Sequence, residues 1–518
     1  LHAGMTTDSN TAVQSWHDTF HSLLNPRVLA MLFLGFSAGI PLLLIFSSLS
    51  LWLSEAGIER KTVTFFSWAA LGYSFKFIWA PLIDKLPVPV LTRLMGRRRS
   101  WLLVAQLLII FSISMMGSIN PGTSEAALTL MALAAVMLGF SSATQDIVID
   151  AYRIEAAEPR FQGMMSASYI AGYRIGMVVS GAGALYLASW LGSEKSHYVY
   201  EAWRLTYFAM AAVMLVGVAT TLLIPEPESS RKKQHTYKTV DYLRLVFVFL
   251  CSVAVFAATF FYTGSIFDDF TELLGNDAII SFFVELFHFS IAVLASVLIG
   301  KLLIQAGAVD REMAHETWIE PITDFFVRYG VNTALLILLL IGLYRISDIV
   351  PGVISNLFYQ DMGFTKPEIA TAVKTFGVIV SIAGGFLGGI VATRYGVYRT
   401  LMIGAILTAF TNLVFVWLAL VGRDLVVMYA AVTIDNLAAG FASAAFVAFL
   451  SSLTSVSFTA VQYAIFSSLM TLLPKTIGGY SGTIVDSIGY PTFFIFVTLI
   501  GVPVLWLVWK VTKSLQAR

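Results

Sequence analysis

Runs of apolar residues about twenty residues long, separated by short polar stretches, recur along the whole chain. A helix needs about 20 apolar residues to cross the hydrocarbon core of a bilayer. The pattern therefore predicts an all-α membrane protein with fourteen spanning helices. Their predicted limits are 28–53, 62–84, 101–119, 126–153, 163–190, 203–224, 241–263, 279–304, 332–358, 367–393, 399–420, 425–451, 458–484 and 491–512.

Basic residues in the short loops predict how these helices are oriented. The loop after the second span carries Lys85, Arg93 and the run "GRRR" at 96–99, and the loop after the sixth carries "RKK" at 231–233. The loop between the third and fourth spans and the acidic loop at 268–277 lack Lys and Arg. Since Lys and Arg accumulate in cytoplasmic loops, the basic loops are predicted to be cytoplasmic, and the even number of spans places both termini there too.

The composition agrees with a membrane protein and argues against several other classes. Of the 518 residues, 58% are hydrophobic and 12% are charged, and the mean hydropathy is +0.80. A net charge of +1 gives no reason to expect a nucleic-acid partner, and the single Cys251 excludes an intramolecular disulfide and a cysteine-based metal site. We expect no metal or cofactor. The polar start has no evident cleavable signal, and residues 12–24 are predicted to form a short interfacial helix.

Two pairs of similar stretches divide the chain into related halves. "LWLSEAGIER" at 51–60 follows the first span and "LFYQDMGFTK" at 357–366 follows the ninth. The next span in each half ends in a basic turn, "APLIDKLPVPVLTRLMGRRRSW" or "GGIVATRYGVYRT". Parallel repeats of this kind imply two halves that flank a central cavity. The predicted division is a cytoplasmic segment (1–26), a six-helix half (27–224), a linker with two extra spans (225–331), a second six-helix half (332–513) and a cytoplasmic tail (514–518).

Ionisable residues deep in the predicted spans indicate a polar cavity, because charges facing lipid are costly. At about 1.5 Å per residue, Arg174 lies roughly 16–20 Å along its span and Arg345 about 20 Å along its own. The alternative for each is an interhelical hydrogen bond to the backbone or to an acid. Asp348 follows Arg345 by three residues, a spacing that favours a local pair. Asp435, roughly 15 Å along the twelfth span, needs a partner on another helix or a proton.

Two lysines and two aromatic residues extend this candidate site. Lys76 and Lys374 lie about two turns from a span end, where snorkelling to the interface is the alternative to lining the cavity. The predicted cavity charges are Lys76, Arg174, Arg345 and Lys374 against Asp146, Asp348 and Asp435. An excess of one positive charge favours an anionic or zwitterionic substrate. Tyr173 and Trp79 are candidates for stacking on sugar rings, with packing or interfacial roles as the alternative.

The stretch "SSATQDIVIDAYR" at 141–153 places Asp146, Asp150 and Arg153 on one face of the fourth span, with Gln145 beside them. Asp150 and Arg153 lie near the predicted cytoplasmic end. Together with three residues of the basic turn region, Asp84, Arg97 and Arg98, they are predicted to form a gating latch. Asp146 lies about 10 Å deeper than Arg153. A carboxylate that gains and loses a neighbouring cation as the protein moves is a natural proton carrier, so Asp146 and Asp435 are the candidates.

Two other function classes fit a polytopic chain. A membrane-embedded acyl or glycosyl transferase would need a catalytic set near one interface and loops large enough to hold a substrate, whereas the loops here are short. A drug efflux pump would differ in the direction of transport. The extra spans carry Glu285 and His288, which we interpret as structural.

The motifs resemble a known family. The basic turns are similar to the loop motif of the major facilitator superfamily. "LGFSAGIPL", "FKFIWAPLID" with "GRRRSW", "SSATQDIVIDAYR", "AGYRIGMVVSG", "LYRISDIVPG", "KTFG", "IDNLAAG" and "SFTAVQYAIFSSL" resemble, in order, the muropeptide permeases of the AmpG type. Acetyl-coenzyme A carriers of the same broad family share a similar basic turn, and are the alternative.

The resemblance implies a function and a set of site residues. It implies an inner-membrane carrier that imports N-acetylglucosaminyl-1,6-anhydro-N-acetylmuramyl peptides with protons, for cell-wall recycling and β-lactamase induction. We expect the carrier to be a monomer. By motif it places Gly39, Gln145, Asp146, Arg174, Arg345, Asp348, Lys374 and Asp435 in the functional helices. We expect the cations Arg174 and Arg345, with Lys76 or Lys374, to hold substrate carboxylates, and Gln145 and nearby aromatic residues to hold the sugars. Asp146, Asp435 and Asp348 are the candidates for proton coupling.

Overall fold

A computed structural model describes residues 24–58, 66, 71–156, 158, 161–194, 197–228, 237–274, 278–478 and 481–517. The predicted N-terminal segment and the basic run at 231–233 fall outside or largely outside these ranges. The chain divides into two compact units. The first contains residues 1–83, 88–232 and 329–518, and therefore both predicted halves. The second contains residues 84–87 and 233–328, with the two extra helices.

The first half consists of helices that are interrupted at several points. They are α1 (Pro26–Ile45), α2 (Ser47–Glu55), α3 (Leu71–Phe75), α4 (Ala80–Lys85), α5 (Leu91–Met95), α6 (Arg97–Gly117), α7 (Glu125–Ala156), α8 (Gln162–Val178), α9 (Ala184–Trp190), α10 (Tyr200–Val213) and α11 (Leu215–Leu223). A π-helical turn at Val179–Gly183 joins α8 to α9, so that the two form one long span.

The linker and the second half continue in the same way. The helices are α12 (Thr239–Leu273), α13 (Ala278–Gln305), α14 (Arg311–Ala314), α15 (Glu320–Tyr329), α16 (Val331–Leu343), α17 (Ile346–Asp361), α18 (Lys366–Ile369), α19 (Gly377–Tyr395), α20 (Val397–Phe410), α21 (Asn412–Val421), α22 (Leu425–Leu453), α23 (Thr459–Gly478), α24 (Ser481–Ile488) and α25 (Tyr490–Gln516). A π-helical turn at Ala370–Phe376 joins α18 to α19.

Twelve helices within the described ranges are long and apolar enough to cross a membrane, and they coincide with twelve of the fourteen predicted spans. The count of fourteen is not confirmed. The described part of the predicted span 62–84 is broken into α3, a 3-10 turn at Lys76–Ile78, and α4. Pro81 has no backbone N–H to donate to the carbonyl four residues earlier, which explains the break at this point. The other missing span, 458–484, corresponds to α23 and α24, whose sequence is rich in Ser and Thr.

The two sequence repeats adopt matching structures. Glu55 ends α2 and its Oε2 accepts a hydrogen bond from Trp203 Nε1 at 2.7 Å. Asp361 ends α17 and its Oδ2 accepts from Tyr490 OH at 2.6 Å. In both halves, therefore, an acid at the end of the first span bonds an aromatic donor near the start of the sixth. Two residues after each acid a glycine has positive φ, +78° at Gly57 and +90° at Gly363, which explains why glycine is repeated there.

The basic turns match as well. Gly96 has φ 89° and precedes α6, and Gly396 has φ 87° and precedes α20. In the first half Glu226 completes the turn, because its carboxylate accepts the backbone N–H groups of Arg98 at 2.9 Å and Arg99 at 3.1 Å. The N–H groups in the first turn of a helix have no acceptor within that helix, and a negative charge is favoured there. A Cβ on Gly96 would overlap the Glu226 side chain.

Close glycine contacts hold α1 against α8. A Cβ on Gly39 would overlap the carbonyl oxygen of Tyr173, and one on Gly35 would overlap that of Tyr169. From the other side, a Cβ on Gly172 would overlap the carbonyl of Leu32. Small residues allow two membrane helices to approach until their backbones touch. This contact fixes α8, which carries Tyr173 and Arg174, relative to the first helix.

Candidate functional site

Arg345 and Asp348 form an ion pair at a break between two helices of the second half. Tyr344 and Arg345 separate α16 from α17. Arg345 Nε donates to Asp348 Oδ2 at 3.1 Å, and Nη2 of the same guanidinium donates to the same oxygen. The local pair expected from their spacing is therefore present. The side chains are 23% and 18% exposed, and since an ion pair facing lipid is costly, this exposure indicates a polar cavity.

Arg174 reaches the same region from the first half. It lies close enough to Arg345 and Asp348 for their charges to interact. Asp435 of α22 interacts in the same way with Asp348. The structure thus brings together four predicted site residues from both halves. Lys374 belongs to the π-helical turn before α19, and its side chain lies outside the described part of the structure.

A second group of predicted residues lies on α7. Asp146 is 7% exposed, and its Oδ1 has no hydrogen-bond partner among the described residues. Gln145 Oε1 accepts a hydrogen bond from Ser37 Oγ of α1 at 2.9 Å, while its Nε2 has no partner in the described part of the chain. Tyr73 and Tyr173 both lie near enough to interact electrostatically with Asp146. Buried polar atoms without partners are uncommon in proteins and are often functional.

Lys76 connects this group with the predicted latch. Its Nζ lies 3.6 Å from Asp150 Oδ2, and both side chains are 9% exposed. Asp150 Oδ1 also lies 3.4 Å from Arg153 Nη2, and the charges of Lys76 and Asp150 act on Asp146. The lysine is buried against an acid, so it does not snorkel to the interface. The division between a transport site at Asp146 and a latch at Asp150 remains a prediction, since one lysine serves both acids.

Three further candidates have packing contacts. Gly39 lies at the close contact between α1 and α8 described above. Trp79 is 8% exposed; its Nε1 donates to Thr144 Oγ1 at 3.1 Å and its ring lies 4.7 Å from that of Phe140. These contacts fit the packing alternative for Trp79. The ring of Tyr173 lies 6.1 Å from that of Tyr169 on the same helix, and its position near Asp146 keeps it in the candidate site.

A buried cluster joins the two halves at the end of the first unit that carries the basic turns. Arg98 donates to both carboxylate oxygens of Glu155, Nε at 3.1 Å and Nη2 at 2.6 Å. The same Nη2 donates to Oγ1 of Thr459, the first residue of α23, at 2.8 Å, and the threonine hydroxyl donates in turn to Glu155. Both charged side chains are fully buried. An acid and a base of the first half are thus bound to one hydroxyl of the second.

Arg153 makes a parallel connection. Its Nη1 donates to Ser451 Oγ of α22 at 2.6 Å, and its guanidinium lies 5.1 Å from the centre of the Tyr463 ring of α23. Of the other predicted latch residues, Asp84 is 8% and Arg97 5% exposed. The hydrogen bonds of Arg98 and Arg153 across the halves fit the predicted latch, whose role stays a prediction.

The sequence did not reveal the partners of these arginines. No role was predicted for the four partner residues, Glu155, Ser451, Thr459 and Tyr463. An acid in the last turn of a helix is ordinarily solvated, so nothing in the sequence marks Glu155 as buried. Thr459 begins a helix, where threonine is a common cap. Among the described residues, no group of three or more His, Cys, Asp and Glu could hold a metal ion.

Comparisons with known proteins agree with this architecture. The family model described as Major Facilitator Superfamily matches residues 28–348. The anhydromuropeptide permease of Escherichia coli strain K12 is 32% identical over 493 residues, which cover 95% of this chain and 81% of that protein. A Rickettsia felis chain designated AmpG 4 is 30% identical, over 95% of this chain and 97% of its own length. The solved structure of the transporter FucP in the outward conformation has a TM-score of 0.60 at 10% identity, covers 95% of this chain and 99% of that one, and shares the fold.

Proposed function

Since the chain belongs to the major facilitator superfamily, and within it to the AmpG-type permeases, we propose that it carries N-acetylglucosaminyl-1,6-anhydro-N-acetylmuramyl peptides by alternating access. It is a multi-pass membrane transporter and not an enzyme. The observation that carries the proposed substrate is the similarity to the anhydromuropeptide permease of E. coli, which extends over 95% of the chain. We further propose import from the periplasm across the inner membrane, which would serve peptidoglycan recycling and, where such an enzyme is inducible, β-lactamase induction.

The charged group formed by Arg174, Arg345, Asp348 and Asp435, to which both halves contribute, supports an anionic substrate. Arg174 and Arg345 both interact with the carboxylate of Asp348, and Asp435 interacts with Asp348 in turn. With Asp435 protonated, the four side chains would carry one excess positive charge. A peptide carboxylate can take the place of the missing counter-charge and bind both guanidinium groups. Because Arg174 belongs to the first half and Arg345 to the second, binding there would draw the halves together. Lys374 is a candidate for a second carboxylate, and Gln145 for a sugar hydroxyl.

We propose that uptake is coupled to protons through Asp146 or Asp435. A buried carboxylate that lacks a hydrogen-bond donor, as Asp146 Oδ1 does among the described residues, favours the protonated form when its cation moves away. Lys76 is the cation whose distance would control this step. One charge moving inward across a potential of 100 mV supplies about 2.3 kcal/mol, which allows roughly 50-fold accumulation.

Uptake by purified protein in liposomes tests both proposals. Labelled anhydromuropeptide should accumulate when the outside is acidic and should equilibrate without accumulation when there is no gradient. Accumulation that does not depend on the pH gradient would contradict proton coupling and leave the proposed substrate unaffected. If acetyl-coenzyme A competed with the muropeptide, or was itself taken up, the alternative carrier class would replace the proposal.

The role of the arginines needs a matched control. Arg174→Ala should reduce uptake by about tenfold or more, since a charged hydrogen bond contributes about 1.5–3 kcal/mol. Arg204 pairs with Glu201 in an exposed position, with side chains 46% and 60% exposed. Arg204→Ala therefore removes a cation without touching the site and should transport normally. If Arg174→Ala took up substrate at the wild-type rate, Arg174 would have no role in substrate binding.

A further inference from the structure

A cavity of about 360 Å³ lies between α20 and α25 at the basic end of the second half. Tyr398 and Arg399 line it from the first turn of α20, and Trp509, Lys513 and Gln516 line it from the last turns of α25. Two helices of one half therefore present a cation each to the same cavity. It is separate from the charged group around Arg345, whose residues do not line it.

The two cations of the cavity have no carboxylate partner among the described residues. In the described part of the structure, no carboxylate lies within salt-bridge distance of Arg399 or Lys513. The sequence explains this, because residues 391–422 and 487–517 contain no Asp or Glu. The Oγ1 of Thr512, which also lines the cavity, is buried and has no hydrogen-bond partner among the described residues. A cavity with two cations that have no carboxylate partner in the described ranges, and with a hydroxyl that has no hydrogen-bond partner there, is suited to an anion that has several acceptor oxygens.

Two Trp and Lys pairs place this cavity at the level of the lipid headgroups. Lys510 Nζ lies 5.0 Å from the Trp506 ring and Lys513 Nζ lies 5.1 Å from the Trp509 ring. Both indoles are about half exposed, at 52% and 51%. Exposed Trp and Lys at the end of an apolar helix mark the boundary between hydrocarbon and water. The phosphate of a phospholipid headgroup lies at the same depth as the cavity.

We propose that the cavity binds the phosphate of an acidic phospholipid headgroup, held by Arg399 and Lys513. The indole of Trp509 would lie against the glycerol and upper acyl region, and Thr512 would donate to a phosphate oxygen. Basic cavities between membrane helices on the cytoplasmic side are suited to such headgroups. This site is independent of the transported substrate, so its test does not depend on the proposed function.

Lipid binding by the full-length protein in detergent tests the proposal. Native mass spectrometry during titration with phosphatidylglycerol, and separately with phosphatidylcholine, measures the affinity for each. The wild-type protein should prefer phosphatidylglycerol. Each cation near an anionic lipid contributes about 1 kcal/mol, or about fivefold in affinity. Arg399→Gln with Lys513→Gln should therefore weaken phosphatidylglycerol binding by about 25-fold and leave phosphatidylcholine binding unchanged.

Lys510→Gln is the matched control, because it removes a cation from the same helix outside the cavity, and it should change binding less than twofold. A loss in Lys510→Gln as large as the loss in Lys513→Gln alone would show a general charge effect and overturn the site. Equal binding of the two lipids by the wild-type protein would do the same. If inorganic phosphate at millimolar concentration displaced phosphatidylglycerol, the site would belong to a soluble anion, and the assignment to lipid would be wrong.

Discussion

At the scale of single residues, two aspartates one turn apart on α7 have opposite surroundings. Asp150 lies between two cations, Lys76 at 3.6 Å and Arg153 at 3.4 Å. Asp146 is equally buried, but its Oδ1 accepts no hydrogen bond from the described residues. We therefore predict that the first acid acts as a counter-charge for buried cations and that the second changes its protonation.

We expect the two Asp→Asn substitutions to separate stability from coupling. Asp150→Asn removes the charge that neutralises two buried cations, which should cost about 3 kcal/mol of unfolding free energy. Asp146→Asn should cost less than about 1 kcal/mol, because no ion pair within hydrogen-bond distance is broken, yet it should abolish the stimulation of uptake by a pH gradient. Thermal unfolding of the detergent-solubilised protein and gradient-driven uptake measure the two effects. Equal losses of stability in both variants would contradict this division.

The sequence predicted which charged residues belong to the candidate site better than it predicted the side chains they contact. Depth along an apolar span identified Arg174, Arg345 and Asp435, because a charge inside lipid is costly wherever it occurs. Spacing alone predicted the Arg345 to Asp348 pair. The contact of Lys76 with Asp150 links two different segments of the first half, and no local rule contains that information. Trp79 illustrates the same limit, since its hydrogen bond to Thr144 depends on how the chain just before α4 packs against α7.

At the scale of helices, the contact of α1 with α8 depends on glycine. A Cβ at Gly39 would overlap the Tyr173 carbonyl oxygen and would lie 2.9 Å from its carbon. Backbone atoms cannot move aside as a flexible side chain can. Since Tyr173 and Arg174 belong to this segment of α8, a shift of the helix would also displace the candidate site.

We therefore expect Gly39→Ala to destabilise the protein by about 1–3 kcal/mol, the usual cost of overpacking, and to reduce uptake. Gly264 provides the control: it lies inside α12, and a Cβ there would meet nothing within 4 Å. Gly264→Ala should be neutral or stabilising by up to about 1 kcal/mol, because alanine is the better helix former. Thermal unfolding of both variants decides the matter. If Gly39→Ala were as stable as Gly264→Ala, close packing would not explain the glycine.

Helix limits could be predicted well where the apolar pattern is continuous. The predicted span 425–451 corresponds to α22 at Leu425–Leu453, and 101–119 corresponds to α6 at Arg97–Gly117. The prediction failed at the turn Lys76–Ile78 between α3 and α4, where Pro81 lacks a backbone N–H. Hydropathy alone carries no information on a backbone break of this kind.

At the scale of the whole molecule, the parallel repeat was visible in the sequence, but the contacts between the halves were not. The repeated acid and glycine at 55–57 and 361–363 predicted two equivalent halves, and their hydrogen bonds and φ values agree. The bond from Arg98 to Thr459 joins residues 361 positions apart. No spacing or periodicity rule connects positions so far apart, so the sequence did not predict this contact.

The two extra helices form a unit of their own with the adjoining segments. His288 of α13 bonds Thr263 of α12 at 2.9 Å and stacks between Phe260 and Phe267, at 4.5 and 4.3 Å. Only 11% of the apolar window is buried in each helix, which leaves most of their surface to lipid. We expect a protein in which a short linker replaces residues 241–305 to fold and to retain uptake. A well-folded deletion protein without any transport would show that the pair does more than brace the halves.

The Arg98, Glu155 and Thr459 cluster should control the balance between conformations. Thr459 is the member from the second half, so Thr459→Val removes the hydrogen bonds of this cluster between the halves and leaves the Arg98 to Glu155 pair intact. Losing a hydrogen bond to a charged group costs about 1.5–3 kcal/mol, which would shift the balance away from the closed basic end by about tenfold or more. Thr408→Val is the control, because that hydroxyl bonds only carbonyls of its own helix.

Nitroxide labels at Leu94→Cys and Val456→Cys, two exposed positions on the two halves, can report the change after Cys251 is replaced by serine. Pulsed electron paramagnetic resonance should give one main distance in the parent and in Thr459→Val an added population at longer distance, with Thr408→Val unchanged. An unchanged distance distribution in Thr459→Val would mean that the closed end is held by packing such as the contact of Gly163 with Ala392, and the cluster would then have no part in gating.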